Sequence, residues 1–489
     1  EEEDDDDDEA ANELPPEVDL EKPMPISNGM YVATSFVGDR SAISKDIDEI
    51  KDFLDEGDAE GATHTYVHGL YSKMYNENGI MTGQVRSVQK FSMEAANTMK
   101  GDPTYNLFVY GLSDDNHEFM GRPATTYADT FVSNLLLSRS QEAANAMVAI
   151  TIWMQVAHSL HSAYGACKRS FLTDGRTING RSLQNSDPSL YIDEAAAYWI
   201  GDNQETGSYG EGHLLYALTE FIGGKFEDNP SGVESDINNR VISLFNKAKN
   251  HIAISRGCST SKDSHLKLKS IIDELIPMMA VPLLRSLIYY VSIDDPIMVK
   301  VYATAVLPLF SACAPATYYE LKDELIDHSV IEIQKEYIYS KIQSMYSCLG
   351  LTCDLIGSPK IDDIAICGDD VELNSLAGYK YVTDQEIFNH ASHIDVDMRK
   401  VQIYIENGMH HFDGSQEVLF GTAYDLYRYG QRPGNSVKGS LSSIARDTRK
   451  DVVPVFAAFR RYYGSDPYYA DTMIVSFAIL VSTLHFFGT

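Results

Sequence analysis

The chain is short of positive charge: 39 Lys and Arg stand against 71 Asp and Glu, a formal net charge of −32 over 489 residues. Such a surface repels phosphate backbones and anionic lipid, which excludes nucleic acid as a partner, and it attracts cations as counterions or as bound metal. A soluble protein of a saline habitat would carry the same balance. Also missing are the phosphate loop, the dinucleotide Gly-x-Gly-x-x-Gly turn, His-Glu-x-x-His and Gly-x-Ser-x-Gly. Their absence counts against the common nucleotide enzymes and hydrolases. There is no Asn-x-Ser/Thr sequon, which keeps a glycan-free compartment such as a plastid open beside an extracellular one. No apolar run reaches the about 20 residues of a membrane span. The longest, Met473–Phe487, is broken by Ser476, Ser482 and His485 and reads as a buried helix.

Hydrophobic residues make up 44% and aromatics 10%, enough to fill globular cores. The length suggests two or three domains. Residues 1–27 are the exception, because Glu1–Glu9 is almost pure carboxylate and Pro15, Pro16, Pro23 and Pro25 follow. They read as a solvated acidic tail. Six cysteines, an even number, suit a secreted, disulfide-bearing chain. Cys348 and Cys353 have no second pair at zinc-finger spacing. A chain beginning at Glu1 is expected to have lost a leader.

The tetrapeptide Tyr-Ala-Asp-Thr occurs at Tyr127–Thr130 and again at Tyr469–Thr472, each time before an apolar run, with a weaker copy at Tyr302-Ala303-Thr304. Spacings of 175 and 167 residues imply a duplicated unit. Ala146–Tyr164 places Val148, Ile152, Val156 and Leu160 on one helical stripe, and Ile331–Tyr346 is its counterpart. Both end in Gly-Cys stops near Cys167 and Cys353. The fold class expected is mainly α, with helical lobes over 43–245 and 246–392 and a third, partial copy over 393–489. A short strand at Tyr379–Thr383 is the main β expectation. Units of this length fit lobes around a cleft better than a solenoid.

The densest polar stretch is Leu190–Leu218, which holds Asp193, Tyr198, Glu211, His213 and Tyr216. Carboxylate, phenolate and imidazole together suit a hard cation such as Fe³⁺. The plain structural reading makes Asp193 a first-turn residue at a positive helix end. Tyr127 and Asp129, with Tyr469 and Asp471, form a second candidate set, beside His68 and, for an anion, Arg86. Against it, each Asp would cap its helix and each Tyr would pack below. His390, His393, Asp395 and Asp397, and His410, His411 and Asp413, are two further His/Asp clusters.

Asp193-Glu194-Ala195-x-Ala197-Tyr198-x-x-Gly201, a Gly-rich turn, Gly212-x-Leu214-Leu215-Tyr216-Ala217-Leu218 and the segment Asp236–Ala248 resemble the algal low-iron-inducible periplasmic (Fe-assimilation) family, which includes the diatom phytotransferrins. The resemblance covers about 60–110 residues and implies a non-catalytic protein that captures Fe³⁺ with a carbonate-type anion at the cell surface or in the periplasm. It places ligands at Asp193 and Tyr198, and further at Glu211, His213 and Tyr216. The second unit lacks the motif, which speaks against one site per lobe. Two other readings stand beside it. One is a scaffold that associates with itself or a membrane-surface assembly, for which 30 tyrosines and an acidic strap suit docking. The other is a metal-dependent enzyme tied to inorganic carbon.

Overall fold

A computed structural model describes residues 25–27, 30–75, 81–173, 187–209, 212–226, 234–259, 264–327 and 334–360, together with Lys400, Val401, Ile403, Tyr404, Thr422, Ala423 and Leu426. It is mainly α, as expected. Among the described residues, strand is confined to three two-stranded antiparallel ribbons: Pro25–Ser27 with Tyr31–Val32, Lys73–Tyr75 with Met81–Val85, and Glu118–Phe119 with Arg122–Pro123. The last residues assigned to the acidic tail, Pro25–Ser27, form one strand of the first ribbon. The expected Tyr379 strand, the Met473 helix and the clusters at His390 and His410 lie outside the described residues.

The core is organised around one helix. Ala143–Ala146, a π-helical turn at Met147–Ile152 and the helix Trp153–Thr173 follow without a break. The expected stripe of Val148, Ile152, Val156 and Leu160 is buried, and so are Met147, Ala149, Ile150, Trp153 and Ala157. A segment apolar on every side belongs in the middle of a bundle. Pro188–Ile200 and Ser264–Ser292 pack on it, and Asp236–Ile254 packs on those two helices in turn. The two tryptophans tie these layers. Trp153 donates its indole N–H to the Met279 carbonyl at 3.3 Å, and Trp199 donates to Asn238 Oδ1 at 3.1 Å.

Several local expectations change. The helix does not stop at Gly165-Ala166-Cys167 but continues to Thr173. A glycine inside a helix costs only about 1 kcal/mol, and the Lys168 and Arg169 that follow are good helix formers. The later stop is real: a short helix ends at Leu349, before Gly350 at φ 67°. Tyr127 opens its helix, Tyr127–Leu137, but Tyr302 sits late in Pro296–Val306, a helix started by Asp295, whose carboxylate accepts from Met298 N. The two copies thus share buried tyrosines rather than a common helix start; the copy at Tyr469 lies outside the described residues. The expected division at 245/246 falls inside the Asp236–Ile254 helix, and one buried cluster runs from Tyr31 to Ile356. Among the described residues no helix is long and apolar enough to cross a membrane.

Cys167 is bonded to Cys258 and Cys313 to Cys348, across 91 and 35 residues of sequence. Closing a loop of about 90 residues removes about 4–5 kcal/mol of chain entropy from the unfolded state. The Cys167→Ala/Cys258→Ala variant should therefore lower the urea midpoint more than Cys313→Ala/Cys348→Ala, because its loop is longer. Equal midpoints for the two variants would contradict this.

Candidate functional site

The helix carrying the composite motif starts five residues earlier than expected. Asp187 accepts from Ser189 N at 3.0 Å and Pro188 takes the first helical position, where a missing N–H costs nothing. Asp193 is therefore mid-helix and cannot cap its own helix. Its fully buried carboxylate accepts from Tyr31 Oη (2.6 Å), Thr34 N (2.8 Å), Thr34 Oγ1 (3.1 Å), Ser35 N (2.8 Å) and Lys249 Nζ (3.0 Å). Five donors fill the roughly four lone-pair directions of a carboxylate. Burial, with Asp193 beside it, holds the Tyr31 phenol protonated far above its ordinary range.

On the next residue, Glu194 takes a guanidinium fork from Arg40, with Nη2 at 2.6 Å. Arg40 also pairs with Asp39 at 2.6 Å, and Arg86 reaches the other Asp39 oxygen at 3.1 Å. Tyr198 is buried beside this network and packs edge-on against Phe91 at 5.4 Å. Burial raises its phenol pKa; Arg86 and Arg40 oppose the rise, while Glu194 and Asp39 add to it. The structure thus brings together two of the expected residues, Tyr198 and Arg86.

The rest are dispersed. Asp129 accepts from Tyr66 Oη (3.1 Å), Gln89 Nε2 (3.0 Å) and Ser133 Oγ (3.2 Å), with Arg122 at 3.6 Å. It binds neighbouring segments rather than capping its own helix. Tyr127 is packed against Phe108 at 5.7 Å, with its hydroxyl in the core. His213, at φ 53°, lies 3.2 Å from Asp48, and Tyr216 donates to Glu234 at 2.6 Å. His68 is exposed on the helix Ala59–His68. Glu211 lies outside the described residues. Among the described residues, no three His, Cys, Asp or Glu side chains stand together as a metal cage.

A different feature gathers polar side chains around open space. A cleft of about 570 Å³ lies between the start of helix Pro103–Leu112, the His158–Arg169 stretch of Trp153–Thr173 and the first turns of Ser264–Ser292. Lys100, Lys168, Arg169 and Lys269 line it, against the carboxylates of Asp102 and Asp273. Lys269 pairs with Asp273. His158 Nδ1 lies 2.6 Å from Asp102 Oδ2, and His161 Nε2 lies 2.9 Å from Thr104 Oγ1. Tyr191 and Tyr404 complete the wall. Among the described residues, four cationic side chains, two carboxylates and two histidines share this lining. No motif marked this set, since its members come from five separate stretches. The one hint was His158 and His161, three apart, on an otherwise apolar helix.

No protein-family model, no curated protein and no solved structure matches the chain.

The two histidines titrate in opposite senses. Burial opposes a proton on His158, but Asp102 outweighs it and lifts the pKa above 6.5. Burial pushes His161 down to about 4, with Asp102 opposing and His158 and Lys269 assisting. An unfolded histidine titrates near about 6.5. The His158 contribution is therefore complete below that pH and is lost as pH rises through the raised folded value. His161 does the reverse: from about 6.5 down to about 4 the unfolded chain binds a proton that the folded chain refuses, so stability falls. In thermal melts at fixed ionic strength, His161→Asn should lose less stability on acidification through this window than the wild type. His158→Gln should differ from the wild type most at the acid end. Parallel profiles for all three would contradict both assignments.

Proposed function

We propose that the chain is a non-catalytic binding protein whose cleft holds a small, multiply charged oxyanion. The carrying observation is charge placement. In a chain of net charge −32, Lys100, Lys168, Arg169 and Lys269 meet at one concavity with two histidines. Its volume falls within the about 300–1,000 Å³ usual for small-molecule sites. A positive pocket in a negative surface selects by charge, since a diffusing anion gains only where the local field reverses. The disulfides support an oxidising compartment, in keeping with an extracellular or periplasmic setting.

Titration calorimetry with inorganic phosphate and with citrate tests this. Saturable binding of either should weaken tenfold or more in Lys100→Glu and fall as salt rises. Phosphate alone would point to a phosphoryl ligand, and citrate alone to a polycarboxylate. Absence of binding to both, or affinity unchanged in Lys100→Glu, would overturn the reading.

Ferric iron capture with a carbonate-type anion is a second reading, favoured by the grouping of Tyr198 with Arg86, Arg40, Asp39 and Glu194. A phenol beside guanidinium groups and carboxylates has the donor chemistry of a hard cation and its anion. Iron titration with bicarbonate should then develop a visible phenolate-to-Fe³⁺ band that Tyr198→Phe removes. A colourless, iron-free protein would exclude it.

A further inference from the structure

The helix Ala59–His68 is held firmly on one side and presents chelating groups on the other. Asp58 caps it by accepting from Gly61 N at 2.9 Å. Ala62, Thr65 and Tyr66 are buried, and the Tyr66 hydroxyl donates to Asp129. At the far end Gly69 takes φ 68°, where a Cβ would come within 1.9 Å of the Arg86 carbonyl oxygen, so only glycine lets the chain turn there. Leu70 N and Tyr71 N then donate to the buried Asp46. The helix is thus fixed at its start, its buried face and its end.

His64 and His68 stand on its outer face, one turn apart and both exposed. Their ring centroids are 4.7 Å apart, with the planes tilted by 51°. A metal bonded to an imidazole nitrogen at about 2.0–2.1 Å lies about 3.2 Å from the ring centroid. Two such distances across this separation subtend about 95° at the metal, near the angle between adjacent ligands in octahedral or square-planar coordination. We propose that His64 and His68 form a two-point chelating site for a borderline divalent cation, with water completing the coordination.

The chemistry sets the preference among ions. Two neutral imidazoles suit Cu²⁺, Ni²⁺ and Zn²⁺, and the general affinity order puts Cu²⁺ first. Fe³⁺ takes oxygen ligands instead, so this site is separate from any ferric one and from the anion cleft. Glu60, one turn before His64 on the same face, and the net charge of −32 favour a cation over an anion here. Little backbone order has to be gained on binding, because the helix is already pinned; only the two side-chain rotamers become fixed.

Equilibrium dialysis of the full chain against Cu²⁺, with electron paramagnetic resonance of the bound ion, tests the proposal. The wild type should bind one more tight equivalent than His64→Ala or His68→Ala, with a spectrum of two nitrogen donors. In either variant the remaining single imidazole should bind about tenfold or more weakly. Glu60→His combined with His68→Ala rebuilds a pair four residues apart and should recover the equivalent. Circular dichroism identifies any variant that fails to fold. Equal stoichiometry and affinity in wild type and His64→Ala/His68→Ala would overturn the proposal. Failure of Glu60→His to rescue would do so as well, given unchanged helicity.

Discussion

The packing of the first half of the chain depends on one buried carboxylate. Asp193 draws Tyr31 and Lys249 onto one carboxylate oxygen and the Thr34–Ser35 backbone onto the other, at the middle of Pro188–Ile200. A carboxylate removed from water is costly unless its lone pairs are filled. Here every neighbour supplies a donor, and Lys249 also lies over the Tyr31 ring at 4.9 Å. Three segments distant in sequence are thereby brought into register. Glu194, on the next residue, continues the tie through Arg40 and Asp39 to Arg86.

This arrangement separates two roles that Leu190–Leu218 seemed to combine. The residue types that suggested a hard-metal site are the ones that assemble a buried polar knot, because fixing an N-terminal ribbon on a helix and holding a cation both call for converging carboxylates and phenols. The open positive cleft lies elsewhere, on the face of the central helix that carries His158 and His161. The oxyanion proposed for it is the opposite of the cation that the net charge of the chain suggests.

The helical class was legible because long apolar stripes such as Val148–Leu160 encode burial directly. The Asp193 helix starts earlier than its polar stretch suggests because Asp187-Pro188, a strong initiation pair, lies just before that stretch. The π-helical turn at Met147–Ile152 has no local signature; it is set by packing on every side. Of the expected ligands, Tyr198 and Arg86 come close together. Tyr127 and Asp129, two residues apart on one helix, point into different surroundings. The cleft was invisible for a different reason: Lys100, His158, Lys269 and Tyr404 belong to no motif, and only the tertiary fold makes them neighbours. Of the His64–His68 pair only His68 was legible in the sequence, because the pairing depends on the helix that sets residues four apart on one face.

The division between structural knot and binding cleft is tested most directly on a single variant, Asp193→Asn, by measuring urea unfolding and phosphate or citrate affinity side by side. Removing the charge that Lys249 and the Thr34–Ser35 amides face should cost about 3 kcal/mol of stability. Affinity in the cleft, measured well below the midpoint, should stay within twofold of the wild type. Unchanged stability together with lost anion binding would contradict the division and return Asp193 to the functional site.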